Sequence, residues 1–301
     1  MNHEEHSGSR ALRSILMNKI YHGDNIEVLK QFEENSLDCC VTDPPYGMGM
    51  EHWDHSVPRV DFWKEVIRVL KPGAYALSFC SPQLYHRMAC AVEDAGFDIK
   101  DQIMWMITTK MPKKNKLKPA HEPIVVAQKP YEGSIQKNFE KWGVGKIDVV
   151  TTRVPWDKKP PKGWVKGGLQ RRTFGKDGKT TGTQKEFGKV DANPNGRYPS
   201  NIIGEVSSEH QKYFYAPRVT RKERGEYNNH PTPKPISLMS YLVKVYCPEN
   251  GIVLDPFLGS GSTAIGAIKE NRKFVGIELE KDYVDVSGKR LIEREIDVKV
   301  V

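Results

Sequence analysis

Ile252 to Asn271 reads "IVLDPFLGSGSTAIGAIKEN", and the fold class is decided by how this stretch is divided. Ile252–Asp255 is a short, branched apolar run, the signature of a buried strand. Pro256 ends it, a glycine-bearing loop follows, and an Ala- and Ile-rich helical run begins near Ser262. Gly259, Gly261 and Ala264 have the GxGxxA spacing between a strand and a helix. The next apolar run, "FVGIE", ends in an acid, Glu278. Glycines let backbone approach a ligand, and an acid at the end of the following strand can bind a ribose diol. A bare glycine pattern is weak, but strand, glycine loop, helix, strand and acid together favour a nucleotide-type site over a structural turn.

Working outward, the chain alternates strands and helices. "NKIYHGD" reads as a strand, "NIEVLKQFEE" as a helix with Asn25 as its N-cap, and Leu37–Thr42 as a buried strand. "VDFWKEVIRVL" is an amphipathic helix that should stop at Lys71-Pro72-Gly73, with "AYALSFCS" the strand beyond it. A helix over "QLYHRMACAVEDAG", strands over "DIKDQIMWMIT" and "HEPIVVAQK", and a helix over "PKPISLMSYLVKVY" complete the pattern. Such alternation predicts a largely parallel sheet covered on both faces.

Between these parts lies a different composition. Lys110 to Arg224 carries 26 Lys and Arg against 11 Asp and Glu, whereas the rest of the chain carries 20 against 27. A basic middle in an acidic frame points to a polyanion partner rather than to a generally basic protein. Periodicity also fades from Tyr131 to Asn229. The expected organisation is a flexible arm over 1–16, one half of an α/β domain over 17–130, an inserted basic region over 131–229, and the second half over 230–301. No run approaches the roughly 18 apolar residues that span a bilayer, so no membrane partner is expected. The five cysteines form no CxxC pair and no zinc spacing with His, so no metal site is expected.

The mouth of the glycine loop narrows the choice of nucleotide. Asp255 and Phe257 put a carboxylate and a ring there; the carboxylate would repel a dinucleotide pyrophosphate, yet it suits a ligand carrying an ammonium and a sulfonium. That favours S-adenosyl-L-methionine over NAD. The strand Leu37–Thr42 ends in Asp43-Pro44-Pro45-Tyr46, where prolines cannot continue a ladder and hold an acid and a ring on a stiff backbone.

"TDPPYGMGM", "DPFLGSGSTAIGA" and "GIELEKDYVD" together resemble the amino-methyltransferases of DNA, and the order, catalytic motif before cofactor motif, resembles their beta group. "YHGDNIEVLKQF", "KPAHEPIVVAQKP" and "HPTPKPISLMSYLV" also resemble that family's elements. The match runs from Asn18 to Glu295, interrupted by the basic middle. The resemblance implies a Rossmann-like class I methyltransferase fold, circularly permuted, with a seven-stranded, mostly parallel sheet containing one antiparallel strand. It implies that Asp43 and the Pro44 carbonyl accept from an exocyclic amine, that Pro44 and Pro45 fix the direction of that carbonyl, and that Tyr46 stacks on a flipped base. It implies donor contacts from Asp24, His230, Thr232, Lys234, Asp255, Phe257, Gly259, Ser260, Gly261, Thr263 and Glu278. The basic insertion would then recognise double-stranded DNA, with Arg153, Arg171, Arg172, Arg197, Arg218 and Arg221 as candidate contacts.

An acid before Pro-Pro-Tyr is the form usual for N6 of adenine; N4 of cytosine is the alternative, since both bases offer an amine. Three rivals stand further off. An RNA or protein-glutamine methyltransferase usually resembles Asn-Pro-Pro-Tyr with the cofactor motif first. An NAD-dependent oxidoreductase leaves Asp43–Tyr46 unused, and a non-enzymatic DNA-binding module explains only the basic middle. The resemblance is compatible with a homodimer, with a restriction endonuclease partner and with a cytoplasmic setting in a bacterium or phage; none of these is legible in the residues themselves.

Overall fold

The computed structural model describes residues 18–49, 51–107, 117–158, 165–166, 189–206, 211, 214–217 and 233–301. The first half supplies β1 (Lys19–His22), α1 (Asn25–Leu29), β2 (Leu37–Thr42), α2 (Val60–Val69), β3 (Leu70–Phe79), α3 (Tyr85–Asp94), β4 (Asp98–Met106) and β5 (His121–Gln128). The middle supplies α4 (Ile135–Trp142), β6 (Val165–Lys166), β7 (Lys189–Val190) and β8 (Ile202–Gly204). The last part supplies α5 (Ile236–Tyr246), β9 (Ile252–Asp255), α6 (Ser262–Lys269), β10 (Lys273–Glu278), α7 (Lys281–Ile292) and β11 (Lys299–Val300).

One sheet runs in the order β11-β1-β10-β9-β2-β3-β5-β4-β8. Every pairing is parallel except those of β5, which is antiparallel to both β3 and β4. The seven expected strands are all present, and the two-residue β11 and three-residue β8 extend the edges. β2 is buried along its whole length, as a central strand covered on both faces must be. Its side chains alternate between two cores. Cys40 faces Phe62, Trp63, Val66 and Met88 from α2 and α3, whereas Cys39 and Val41 face Leu238, Leu242, Ala264 and Ile265 from α5 and α6.

The crossovers diverge between β9 and β2. From β2 the chain moves outward to β3, and from β9 it moves the other way to β10, so the crevice at the carboxyl ends of these two strands is a topological switch point. Asp255 closes β9 and Asp43 follows β2, which brings residues from opposite parts of the sequence to one crevice. Because β5 runs backwards, its first residues reach the same edge: Glu122 lies opposite Trp105 and His121 opposite Met106, at the end of β4.

Two local expectations shift. The N-cap of α1 is Asp24 rather than Asn25, and its carboxylate accepts from the N–H groups of Ile26 at 3.0 Å and Glu27 at 3.1 Å. Lys71-Pro72-Gly73 lies inside β3 rather than ahead of it. The β2–β3 register jumps from Leu37↔Leu70 to Cys39↔Tyr75, so these residues form a bulge. Lys71 pairs with buried Asp38 at 2.5 Å, and the Asn138 amide of α4 donates to the Pro72 and Val144 carbonyls. Gly73 has φ of 82°, and a Cβ there would meet the Asn138 amide nitrogen at 2.3 Å. Proline and glycine are accommodated because this is a bulge and not a regular ladder.

The basic middle holds more regular structure than its faded periodicity suggests. α4 is capped by Ser134 and ended by left-handed Gly143, β8 joins the main sheet beside β4, and Val154 forms an isolated bridge with Arg197.

Candidate active site

The main cleft lies at the carboxyl edge of the sheet and has a volume of about 350 Å³. Gly23 and Asp24 beyond β1, Glu278 at the end of β10 with Leu279 and Glu280 beyond it, Phe257 and Gly259 beyond β9, and Asp43 and Pro45 beyond β2 all line it. The loop after Tyr46 contributes Trp53 and Ser56 to Arg59, and α7 contributes Tyr283. Asp54 shapes that loop, accepting from the N–H groups of Gly47 at 2.6 Å and Met48 at 3.1 Å. His52 Nε2 meets Glu280 Oε1 at 3.2 Å, joining the loop to the first residues of α7. A smaller pocket of about 30 Å³ sits under the glycine loop, lined by Asp43, Lys234, Asp255, Phe257, Gly259, Ser260 and Thr263.

The glycine loop is pinned from two sides. Gly261, the N-cap of α6, has φ of 80°, and a Cβ there would lie 3.1 Å from the Ser287 Cβ. Arg290, buried on α7, donates to the Ser260 carbonyl and, at 2.8 Å, to the Ser260 hydroxyl. Glu278 holds the loop from the other side, accepting from Gly259 N–H at 2.7 Å and Glu280 N–H at 2.9 Å. Burial pushes the Glu278 carboxyl above its usual range, against the pull of those backbone donors. Phe257 packs on Phe62 of α2, ring centroids 5.1 Å apart, which fixes its ring beside the cleft.

Asp255 turns inward rather than to the open mouth. It is 3 % exposed and accepts from the Thr42 hydroxyl at 2.8 Å and Phe257 N–H at 3.2 Å. Burial pushes its carboxyl up to about 7 despite the hydroxyls of Thr263 and Thr42.

At Asp43 a four-residue cluster forms. Tyr46 donates its hydroxyl to Asp43 Oδ1 at 2.7 Å, and Lys234 ion-pairs with Asp43 Oδ2. Glu122 approaches both donors, at 3.2 Å from the Tyr46 hydroxyl and 3.6 Å from the Lys234 ammonium. The ammonium lies against the faces of Phe79 and Tyr46, at 5.0 and 5.4 Å from the ring centroids. Burial raises the Asp43 carboxyl, Lys234 opposes that, and Glu122 adds to it; the outcome is upward. For Lys234 burial pulls down, but the two carboxylates outweigh it and hold the ammonium above its usual value.

Thus Asp24, Asp43, Pro45, Lys234, Asp255, Phe257, Gly259, Ser260, Thr263 and Glu278 all line one or the other space. Lys234 does so with its ammonium on Asp43. Arg153 and Arg197 line neither. They stack on Tyr198 and Trp156 across the Val154–Arg197 bridge, at 4.3 and 4.2 Å. His230, Thr232, Arg171, Arg172, Arg218 and Arg221 lie outside the described residues. Sequence reading passed over Glu122, Thr42, Trp53 and Tyr283. Only Glu122 carries a local signal, an acid at the head of an otherwise apolar strand.

Residues 37–289 match the N6/N4 methyltransferase family, described as DNA methylase. The chain belongs to this DNA methylase family. The match takes in the Asp43 cluster, the glycine loop and Glu278 together. Among similar proteins, the Type II methyltransferase M.ScaI of Streptomyces caespitosus is 28% identical, over 90% of this chain and 80% of its own. The DNA adenine methyltransferase YhdJ of Escherichia coli K12 is also 28% identical, over 90% of this chain and 82% of its own. Two solved structures share the fold. The M1.HpyAVI–SAM complex has a TM-score of 0.52 at 22% identity, covering 91% of this chain and 99% of its own. The cytosine-N4-specific PvuII DNA methyltransferase has a TM-score of 0.59 at 18% identity, covering 93% and 88%. The architecture of this family member is accordingly the Rossmann-like α/β fold of class I methyltransferases.

Proposed function

We propose that this chain transfers a methyl group from S-adenosyl-L-methionine to the exocyclic N6 amine of adenine in double-stranded DNA, the base being flipped out to reach the cleft. The observation that carries this reading is that Asp43 lines both the main cleft and the pocket under the glycine loop. An amine held by Asp43 therefore faces whatever the glycine loop holds.

The residues fit the donor. The main cleft is within the size range of small-molecule sites and has a carboxylate, Glu278, at one end and Asp43 at the other. Glu278 and Asp24 would hold the adenosine, Phe257 would pack along its side, and Asp255 with the Gly259–Thr263 loop would take the amino-acid end; His230, Thr232 and Lys234 would close over it. When bound, the donor supplies an electrophilic methyl on a sulfonium.

The acceptor amine is a weak nucleophile, its lone pair being delocalised into the ring. Asp43 accepts one of its hydrogens and the Pro44 carbonyl a second, turning the nitrogen toward tetrahedral geometry. Pro44 and Pro45 hold that carbonyl still, and Tyr46 offers a face for the base. After transfer the nitrogen is cationic and acidic, and Asp43 or water removes its proton. The basic middle, with Arg153, Arg197 and the arginines at 171, 172, 218 and 221, would neutralise phosphates and give salt-sensitive affinity.

Adenine is supported by the carboxylate at position 43 and by the similarity to YhdJ. The bacterial relatives support a cytoplasmic, bacterial or phage-encoded setting; among the described residues no helix is long and apolar enough to cross a membrane. Label from methyl-labelled donor is expected in N6-methyladenine of unmethylated genomic DNA, resolved by nucleoside mass spectrometry. Label in N4-methylcytosine would transfer the mechanism to the other base, and no label in either nucleoside would sink the reading.

A further inference from the structure

Asp43 is already engaged on both oxygens, by Tyr46 at 2.7 Å and by the Lys234 ammonium. An arriving amine must take the place of one of these donors. Glu122 is within reach of both, at 3.2 Å from the Tyr46 hydroxyl and 3.6 Å from Lys234 Nζ. The site thus holds two carboxylates and one ammonium, in a pocket where Glu122 is 9 % and Lys234 8 % exposed. A lone Asp–Lys pair would be the less costly arrangement, since surplus buried charge carries a desolvation penalty. It would also be a poor acceptor, because hydrogen bonds to a carboxylate weaken as its charge is neutralised.

We infer that Glu122 is a positioning residue for methyl transfer: it competes with Asp43 for Lys234 and Tyr46, so that neither donor is held by Asp43 alone and Asp43 can exchange them for the substrate amine. The inference rests on the reading of Asp43 as the amine acceptor and deepens it. Glu122 belongs to this arrangement through topology. β5 is the antiparallel strand, and only a strand entering the sheet from this edge brings its first residues to the ends of β2 and β4.

Among the described residues the titratable groups facing Asp43 are few. Tyr46 comes from its own segment, Cys80 from the end of β3, Glu122 from β5, Lys234 from the approach to α5, and Asp255 from β9. Burial pushes the Cys80 thiol up to about 12 and the Tyr46 phenol well above its usual value, so both stay neutral through the working range. Among the described residues, Glu122 and Lys234 are thus charges on Asp43 that can be removed with opposite effects.

The test is the pH dependence of single-turnover methyl transfer to unmethylated genomic DNA at saturating donor. Transfer requires the ionised Asp43, so the rate falls on the acid side as that carboxyl takes up a proton. Glu122→Gln removes a like charge and moves this limb to lower pH; Lys234→Met removes the opposite charge and moves it to higher pH, each by about one unit. The plateau rate of Glu122→Gln falls about tenfold, the scale of one hydrogen bond's net contribution to positioning. Glu122→Asp keeps the charge and retains the wild-type limb, and it serves if the Gln variant does not fold. Limbs that move together or stay put, with Asp43→Asn inactive, overturn the role of Glu122 and leave Asp43 in place. Full activity in Asp43→Asn overturns both.

Discussion

Thr42 donates a 2.8 Å hydrogen bond to Asp255, a residue 213 positions away, across the seam where β2 meets β9. This contact joins the last residue of one central strand to the last residue of the next. One residue further along β2 is Asp43, and two beyond β9 is Phe257. The two motifs recognised in the sequence therefore meet at adjacent strand ends, and the long separation between them is a consequence of where the chain enters the fold.

The environment of Asp255 gives the molecule a pH signature. Its carboxyl is pushed up to about 7 by burial, so the folded state keeps a proton that the unfolded chain releases near the ordinary carboxylate value. The sign follows: this contribution to stability is present in acid and is lost as pH rises from about 4 to about 7. Asp255→Asn removes the titration. Urea unfolding at both ends of that window should show a decline in wild-type stability that the variant lacks. Equal declines in both proteins would mean that Asp255 is ionised throughout.

Asp43→Asn tests the amine clamp with little change of shape. The amide still occupies the site, but it loses the charge that orients the acceptor. Methyl transfer is expected to fall by about 10²-fold or more, the scale for removing one preorganised polar contact to developing charge. Donor affinity, read by calorimetry, should be unchanged, because Glu278 and the glycine loop are untouched. A parallel loss of donor affinity would show that Asp43, which lines the donor cleft, helps to hold the donor as well.

Much of this was legible in the residues. Strands such as β2 and β9 announce themselves as short apolar runs, and the glycine loop and Glu278 carry a spacing with a direct physical meaning. What escaped depends on long-range pairing. Lys71-Pro72-Gly73 reads as a stop because local punctuation does not reveal that Asp38 and Asn138 will hold those residues in a bulge. Lys234 reads as a donor contact, and nothing local reveals that its ammonium also rests on a carboxylate 191 positions away. Glu122 looks like a surface acid at a strand's start until β5 is known to run antiparallel.

Glu278 tests the donor end of the cleft. Its two oxygens gather the N–H groups of Gly259 and Glu280, so the loop and the first residues of α7 are held at one carboxylate. Glu278→Ala removes both contacts along with the partner for a ribose diol. Donor affinity should fall about 10- to 100-fold, as hydrogen bonds to a charged group are each worth about 1.5–3 kcal/mol. Calorimetric titration with S-adenosyl-L-methionine measures it. An unchanged affinity would show that the adenosine is held elsewhere.

The Asp38–Lys71 pair lies at the amino-terminal edge of the sheet, away from this chemistry, and separates stability from function. Both side chains are buried, their 2.5 Å contact fills the bulge in β3, and Asp38 also accepts from Ile252 N–H at the start of β9. Lys71→Met keeps the bulk but strips Asp38 of its ammonium, which should cost about 3–5 kcal/mol of unfolding free energy. Replacing both, Asp38→Asn with Lys71→Met, removes the stranded charge and keeps an acceptor for Ile252, so most of that loss should return. Methyl transfer by the folded fraction should match wild type in both variants. If the double variant is no more stable than the single one, the ammonium contributes through packing across the bulge, and the charge itself is incidental.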